Sequence, residues 1–176
     1  MTESVDAAAS GWGASTTHLE PTDDAYVISD DVARLDLVAV HAYLVRSYWA
    51  AGIPIETVRQ AAANSICFGV YRDLEQVGFA RAITDRATFA YLADVYILEG
   101  HRGRRLGKRL VERVLAHPDL QRLRRFMLVT RDAAALYEAY GFRSPDEPSG
   151  IMQIRRPNAY QLDSSVTSFS ALSPTP

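Results

Sequence analysis

The chain has 176 residues, of which 48% are apolar and 23% charged, and its formal net charge is −2. This balance favours one soluble globular domain. No apolar run approaches the roughly 20 residues that a membrane helix needs, and the N-terminus lacks the basic and apolar segments of a secretory signal. Cys67 is the only cysteine, so an internal disulfide is excluded. We therefore expect a cytoplasmic protein that does not bind membranes.

Three regions are predicted along the chain. Residues 1–22 are rich in Ala, Ser, Thr and Gly without apolar periodicity, which predicts a disordered tail. Residues 23–156 are predicted to form the folded domain. Residues 157–176 are rich in Ser, Thr and Pro, which predicts a flexible second tail.

The first half of the domain is predicted to form a strand, two helices and three further strands. Residues 25–29 are β-prone, and residues 36–49 place apolar side chains at helical spacing until Gly52. Pro54 can begin the second helix. The segments 66–71 and 76–83 flank a short polar break, which is typical of a hairpin. Another strand is predicted over 89–98.

The second half is predicted to alternate helix and strand. A helix places five apolar residues on one face and is closed by Pro118; these are Leu106, Leu110, Val111, Val114 and Leu115. The apolar run 126–130 predicts a strand at the centre of the sheet, and 133–140 predicts a short helix ended by Gly141. A last strand is predicted over 151–155. The order indicates an α/β (α+β) fold with a mixed sheet of six to seven strands and about four helices.

A basic turn joins the strand 89–98 to the helix that follows it. Residues 102–108 read Arg-Gly-Arg-Arg-Leu-Gly-Lys, within a stretch from His101 to Arg125 that holds nine Lys or Arg and two acids. The first N–H groups of a helix have no intrahelical partner and its dipole adds positive charge there. Basic side chains are unfavourable at that end unless an anion compensates them. The turn therefore predicts an anion site, and neither a P-loop nor a dinucleotide fingerprint is matched.

Two motifs resemble one known family. Residues 102–107 resemble the Arg/Gln-x-x-Gly-x-Gly/Ala signature of the GCN5-related N-acetyltransferase (GNAT) superfamily. Residues 136–142, Leu-Tyr-Glu-Ala-Tyr-Gly-Phe, resemble the Tyr-x-x-x-Gly-Phe ending of that family. The resemblance covers most of 25–142, and it implies acetyl-CoA as acyl donor and a primary amine as acceptor. Arg105 stands where the family usually has glycine.

The resemblance also implies which residues hold the cofactor. The pantetheine arm is expected to pair with the backbone of one strand like an added strand, and a backbone N–H near Ile97 is expected to hold the oxyanion. The pyrophosphate is expected at the basic turn. The implied cofactor-binding residues are Tyr96, Ile97, Leu98, Arg102, Gly103, Arg104, Arg105, Leu106, Gly107, Lys108 and Asp132.

Tyr137 and Asp94 are the implied catalytic residues. Tyr137 matches the tyrosine that acts as general acid towards the departing thiolate, with a packing residue as the alternative. Residues 91–94, Tyr-Leu-Ala-Asp, resemble the Tyr-Leu-Glu-Asp strand of diamine and polyamine acetyltransferases. Asp94 then contacts the amine or acts as base, because Ala93 replaces the glutamate. The alternative for Asp94 is a structural aspartate bonded to a neighbouring loop.

The acceptor side is predicted to combine Asp94 with Tyr48, Trp49 and Phe68, with Trp49 as a core residue in the alternative. This set favours a small cationic amine with an apolar part. Acetylation of a protein N-terminus or lysine stays open, as does a CoA-binding module without catalysis. The chain is expected to be a monomer or a homodimer.

The remaining polar residues indicate no further chemistry. Cys67 lies in an apolar strand and is predicted to be a buried structural thiol. The four histidines lack metal-ligand spacing, so no metal is expected. The basic stretch shows no nucleic-acid motif or interleaved aromatics, so no nucleic-acid partner is expected. Asp85 is predicted to be a turn residue.

Overall fold

A computed structural model of the chain describes residues 25–156 and 159–160. The predicted tails, 1–22 and 157–176, lie outside the described residues except for 159–160, so their disorder stays a prediction.

The centre of the fold is a five-stranded mixed sheet in the order β1-β2-β3-β4-β5. Its strands are β1 (Tyr26–Ser29), β2 (Ile66–Arg72), β3 (Glu75–Thr84), β4 (Phe89–Ile97) and β5 (Arg125–Met127). Strands β1 to β4 pair antiparallel in sequence order, and β5 lies parallel to β4. This confirms the predicted mixed sheet with its antiparallel part first.

Four α-helices cover the sheet. They are α1 (Leu37–Leu44), α2 (Ile55–Ala63), α3 (Leu106–Leu115) and α4 (Ala134–Glu138). Asp36 begins α1, because its carboxylate accepts hydrogen bonds from the N–H groups of Val38 and Ala39. Helix α1 ends before the predicted boundary at residue 49. Short-range bonds from the N–H groups of Arg46 and Ser47 tighten its last turn, and the chain then turns towards α2.

The two faces of the sheet pack against different helices. One face packs under α3 and carries Phe68, Val70 and Val77, all fully buried. The other face packs under α1 and α2 and carries Cys67 and Phe79. Because successive side chains of a strand point to opposite faces, Cys67 and Phe68 lie on different sides of the sheet.

Two irregularities shape β4. Phe79 pairs with Tyr96 and Arg81 with Ala93, so two residues of β4, Asp94 and Val95, lie opposite one residue of β3. This is a β-bulge, and Asp94 takes the left-handed conformation with φ 55°. On its other side, β4 pairs with β5 only as far as Tyr91. From Leu92 to Ile97 that edge of β4 has no partner strand in the part of the chain that the structure describes.

Three predictions about the C-terminal half were wrong. Strand β5 holds three residues and lies at the edge of the described sheet, whereas a central strand over 126–130 was predicted. The chain is irregular after Met127, and Val129 is 78% exposed. Residues 151–155 are irregular: Ile151, Met152 and Ile154 are all exposed and no described strand lies beside them. The described sheet therefore has five strands rather than six or seven.

Candidate active site

The basic turn leaves an open row of N–H groups at the start of α3. The first intrahelical bond joins the Arg109 N–H to the Arg105 carbonyl at 3.0 Å. The N–H groups of Leu106, Gly107 and Lys108 therefore lack an intrahelical partner. A Cβ added at Gly103 or Gly107 would meet no atom within 4 Å. The backbone is thus accessible from outside, and the anion site stays a prediction.

Arg105 is the residue that redirects the chain into α3. It has φ 59° and ψ 9°, and its side chain makes no capping bond. This left-handed conformation strains residues with a Cβ and suits glycine. The geometry gives a physical reason why glycine is the usual residue here in the family that the turn resembles.

Arg102 connects the basic turn to β4 through a hydrogen bond. Its Nε donates to the Ile97 carbonyl at 3.0 Å, and its terminal nitrogen lies 3.4 Å from the Tyr43 hydroxyl. One acceptor of the predicted pantetheine edge is therefore bonded within the chain. The Leu98 N–H donates to the Val77 carbonyl in β3 at 2.8 Å. Because backbone groups alternate along a strand, the Ile97 N–H points to the open side.

Tyr137 lies in α4 with its side chain mostly buried. Its ring packs edge-on against Phe142, with 5.9 Å between centroids. Burial, together with the nearby Tyr48 and Asp132, raises the pKa of Tyr137 to about 12. The hydroxyl consequently keeps its proton at neutral pH, and it lies close to Tyr48 and Asp132.

Tyr140 is oriented differently from Tyr137. Its hydroxyl donates to the Glu112 carboxylate at 2.7 Å. Desolvation and this hydrogen bond raise the pKa of Tyr140 to about 12. Tyr140 therefore connects the turn after α4 to α3, and it serves as a matched comparison for Tyr137.

Asp94 is held by two partners. Its Oδ2 accepts from Arg81 Nε at 2.5 Å, and its Oδ1 accepts from Trp49 Nε1 at 3.0 Å. The two charged side chains are 17% and 9% exposed, so the pair is largely withdrawn from water. Arg81 also reaches Ser65 Oγ at 3.3 Å. The sequence analysis missed Arg81, although it shares a face of β3 with Phe79, which is fully buried, and a charge beside such a position needs a partner.

An aromatic wall borders this pair. It consists of Tyr43, Tyr48, Trp49 and Tyr96. Tyr43 stacks on Tyr96 with centroids 3.7 Å apart, and Tyr48 meets Trp49 edge-on at 4.9 Å. Tyr48 and Trp49 are about half exposed. Arg131 places its guanidinium 3.7 Å from the centroid of the Tyr48 ring, which is a cation–π contact.

Phe68 does not belong to this wall, which corrects the sequence prediction. It is fully buried on the α3 face and packs edge-on against His117, with centroids 5.7 Å apart. The strand alternation that places Cys67 towards Asp94 necessarily places Phe68 on the opposite side of the sheet.

The remaining predictions concern Cys67, Asp85, metal binding and membrane helices. Cys67 is buried, and desolvation raises its pKa to about 11, so it stays a thiol. Asp85 is a turn residue: its carboxylate accepts from the N–H groups of Ala87, Thr88 and Phe89. Within 25–156 and 159–160, no group of three or more His, Cys, Asp or Glu could hold a metal ion, and no helix is long and apolar enough to cross a membrane.

The fold and the similarity to known proteins together identify an acetyltransferase. A mixed sheet covered by helices on both faces opens beside β4, and the chain continues from that edge through the basic turn into the start of α3. The family model described as an acetyltransferase (GNAT) domain matches residues 63–144. The chain belongs to the GNAT family.

Known proteins that are similar to the chain agree with this placement. A candidate acetyltransferase of Gibberella zeae is 36% identical over 135 residues, covering 64% of this chain and 75% of that protein. The crystal structure of a candidate GNAT acetyltransferase from Xanthomonas campestris pv. campestris is 47% identical and superposes with a TM-score of 0.75, covering 77% of this chain and 96% of that one. A candidate acetyltransferase from Clostridium acetobutylicum, whose structure was determined with acetyl-CoA, shares the fold at 15% identity and a TM-score of 0.54, covering 74% and 94%.

Proposed function

We propose that the chain is an acetyl-CoA-dependent N-acetyltransferase acting on a small primary amine that has an apolar part. The observation that carries this proposal is the continuity of the open β4 edge with the unpaired N–H groups at the start of α3. A strand edge suits an extended amide-containing arm, and a helix start suits a pyrophosphate. Acetyl-CoA joins these two chemistries in one molecule and supplies the acetyl thioester.

The proposed roles follow the geometry. The N–H groups of Leu106, Gly107 and Lys108, reachable over Gly103 and Gly107, bind the pyrophosphate. The Ile97 N–H, which points to the open side, hydrogen-bonds the acetyl oxygen as negative charge develops on it. Asp132, close to Tyr137 and exposed, remains a proposed contact for the cofactor.

In the proposed reaction, the neutral amine nitrogen bonds to the acetyl carbon, the carbon–sulfur bond breaks, sulfur gains a proton and nitrogen loses one. The Tyr137 hydroxyl is proposed to face the departing sulfur. With a pKa of about 12 it is a weaker acid than a thiol, whose ordinary pKa is about 8.5. Its hydroxyl therefore stabilises the departing thiolate chiefly as a hydrogen-bond donor, and solvent completes the proton transfer.

The amine proton is proposed to leave to water. Ala93 cannot act as a base, and the Asp94 carboxylate already accepts hydrogen bonds from Arg81 and Trp49. A cytoplasmic location and a monomeric or homodimeric state stay predictions from the sequence.

A test of this function compares wild type, Tyr137→Phe and Tyr140→Phe with acetyl-CoA and a panel of amines. Free thiol release is measured with a thiol reagent, and acetyl-CoA binding by calorimetry. We expect Tyr137→Phe to lower kcat about 100-fold at unchanged acetyl-CoA affinity, and Tyr140→Phe to leave kcat nearly unchanged. If wild type binds acetyl-CoA but acetylates no amine, the chain is a CoA-binding module. If it acetylates peptides alone, the small-molecule acceptor is wrong.

A further inference from the structure

Asp94 is the carboxylate that the acceptor side was expected to offer to a cationic substrate. Its pairing with Arg81 makes this carboxylate unavailable. Both oxygens of Asp94 are engaged, one by the Arg81 guanidinium at 2.5 Å and the other by the Trp49 indole at 3.0 Å. The Asp94 side chain is only 9% exposed. A charge that is paired and desolvated in this way is not available to a second cation without breaking the first pair.

The carboxylate of Asp132 lies near Tyr137, and among the described residues the side chains that bond Asp94 are Arg81 and Trp49. A cleft of about 290 Å³ opens beside Arg81, which is the one charged residue that the described part of the chain contributes to its lining, with Thr57, Gln60, Ala61, Asn64, Ser65 and Ile83. On the other side stands the aromatic wall, where Arg131 lies over Tyr48. These contacts place Arg81 beside the neutralised Asp94, and they bring Arg131 to Tyr48 and Arg102 to Tyr43 in the aromatic wall.

These charges affect the protonation of a bound amine, which must be neutral to react and has no dedicated base. Nearby cations destabilise an ammonium group, so Arg81 and Arg131 lower the pKa of an amine that binds beside the neutralised Asp94. An aromatic surface meanwhile stabilises an apolar substituent by burial. A molecule with a second ammonium group would place it where neighbouring charges are positive.

We propose that Arg81 determines acceptor specificity: by neutralising Asp94 it excludes diamines and polyamines and selects monoamines whose remaining part is aromatic or apolar. This inference rests on the proposed function, since it concerns the acceptor of that reaction. Arg81 acts through Asp94 and is a specificity-determining residue rather than a catalytic one. It differs from the role implied by the Tyr-Leu-Glu-Asp resemblance, in which Asp94 contacts the amine.

The test measures binding and turnover separately for two probes, phenylethylamine and diaminobutane. Dissociation constants are measured by calorimetry on the full chain with CoA bound, so that they do not depend on catalysis. For wild type we expect phenylethylamine to bind and to react, as kcat/KM, at least about tenfold better than diaminobutane. Arg81→Gln should expose the Asp94 charge and shift the ratio towards diaminobutane by about tenfold, mainly through KM.

Three further variants separate specificity from folding. Arg81→Lys should restore the wild-type ratio because it keeps the charge, and Arg81→Gln combined with Asp94→Asn should lose the diamine gain because no anion remains. Arg86→Gln, which removes an exposed arginine of the same region that is paired with Asp119 and not with Asp94, should leave the ratio unchanged. The proposal fails if wild type binds diaminobutane as well as phenylethylamine, or if Arg81→Gln leaves the ratio of dissociation constants unaltered. Absence of acetyl transfer with normal binding ratios would instead contradict the proposed function alone.

Discussion

The backbone at Arg105 makes a quantitative prediction about stability. Arg105 has φ 59°, a conformation that costs a residue with a Cβ about 1–2 kcal/mol. Glycine removes that cost but gains chain entropy in the unfolded state, which offsets about 0.4–1 kcal/mol. Arg105→Gly should therefore be more stable than Arg105→Ala by about 0.5–1 kcal/mol. The two variants lose the same side chain and charge, so their difference isolates the Cβ.

Urea unfolding measures this difference directly, and thermal unfolding should show Arg105→Gly melting about 3 °C above Arg105→Ala for a domain of this size. Acetyl-CoA affinity should be similar in the two variants, because both leave the same N–H groups of α3 exposed. The reasoning is refuted if Arg105→Ala is as stable as Arg105→Gly, since the chain would then not pass through the left-handed conformation at this residue.

Two further predictions concern residues outside the proposed site chemistry. Hydrogen bonds from the Thr88 hydroxyl and backbone N–H groups hold the pKa of Asp85 below its usual range. Because the folded pKa is depressed, this stabilisation is complete above the unfolded value of about 3.9 and is lost as the pH falls through the folded value. Asp85→Asn should thus lower Tm near neutral pH and have little effect below about pH 2; an equal loss at both pH values would contradict this. Cys67→Ala should retain turnover, and iodoacetamide should not modify the native chain, since the buried thiol has a pKa of about 11; inactivation by alkylation would refute it.

The sequence predicted the parts of the fold that local patterns determine. The turn 102–108, its preceding strand and its following helix depend on neighbouring residues, and all three lie where the spacing indicated. The strand 151–155 failed because its apolar residues satisfied a β pattern without a partner edge. Partner edges depend on tertiary arrangement, which β propensity does not encode.

The acceptor side shows the same limit in the site. Asp94 was recognised, but its partner was not, because Arg81 meets it only through cross-strand pairing displaced by the bulge. The position of Arg81 on the same face of β3 as the buried Phe79 was the available signal. Phe68 was misplaced because one residue of strand alternation decides the face of the sheet. Residues that act through the backbone were therefore easier to predict than residues that meet across strands.

Asp94 and Arg105 share the left-handed conformation, yet glycine should affect them in opposite ways. At Arg105 glycine relieves strain and removes no buried partner. At Asp94, where φ is 55°, it also relieves strain but leaves the Arg81 guanidinium, 17% exposed, without its counter-ion. Losing one member of a buried ion pair costs about 3–5 kcal/mol, which exceeds the 1–2 kcal/mol of backbone relief.

Asp94→Gly should therefore be destabilised by about 2–3 kcal/mol in urea unfolding. Adding Arg81→Met, which removes the orphaned charge while keeping a long apolar side chain, should recover most of that loss. Arg105→Gly, in the same assay, should be at least as stable as wild type. If Asp94→Gly is also as stable as wild type, the Arg81–Asp94 pair does not hold the bulge of β4, and backbone strain alone distinguishes this segment.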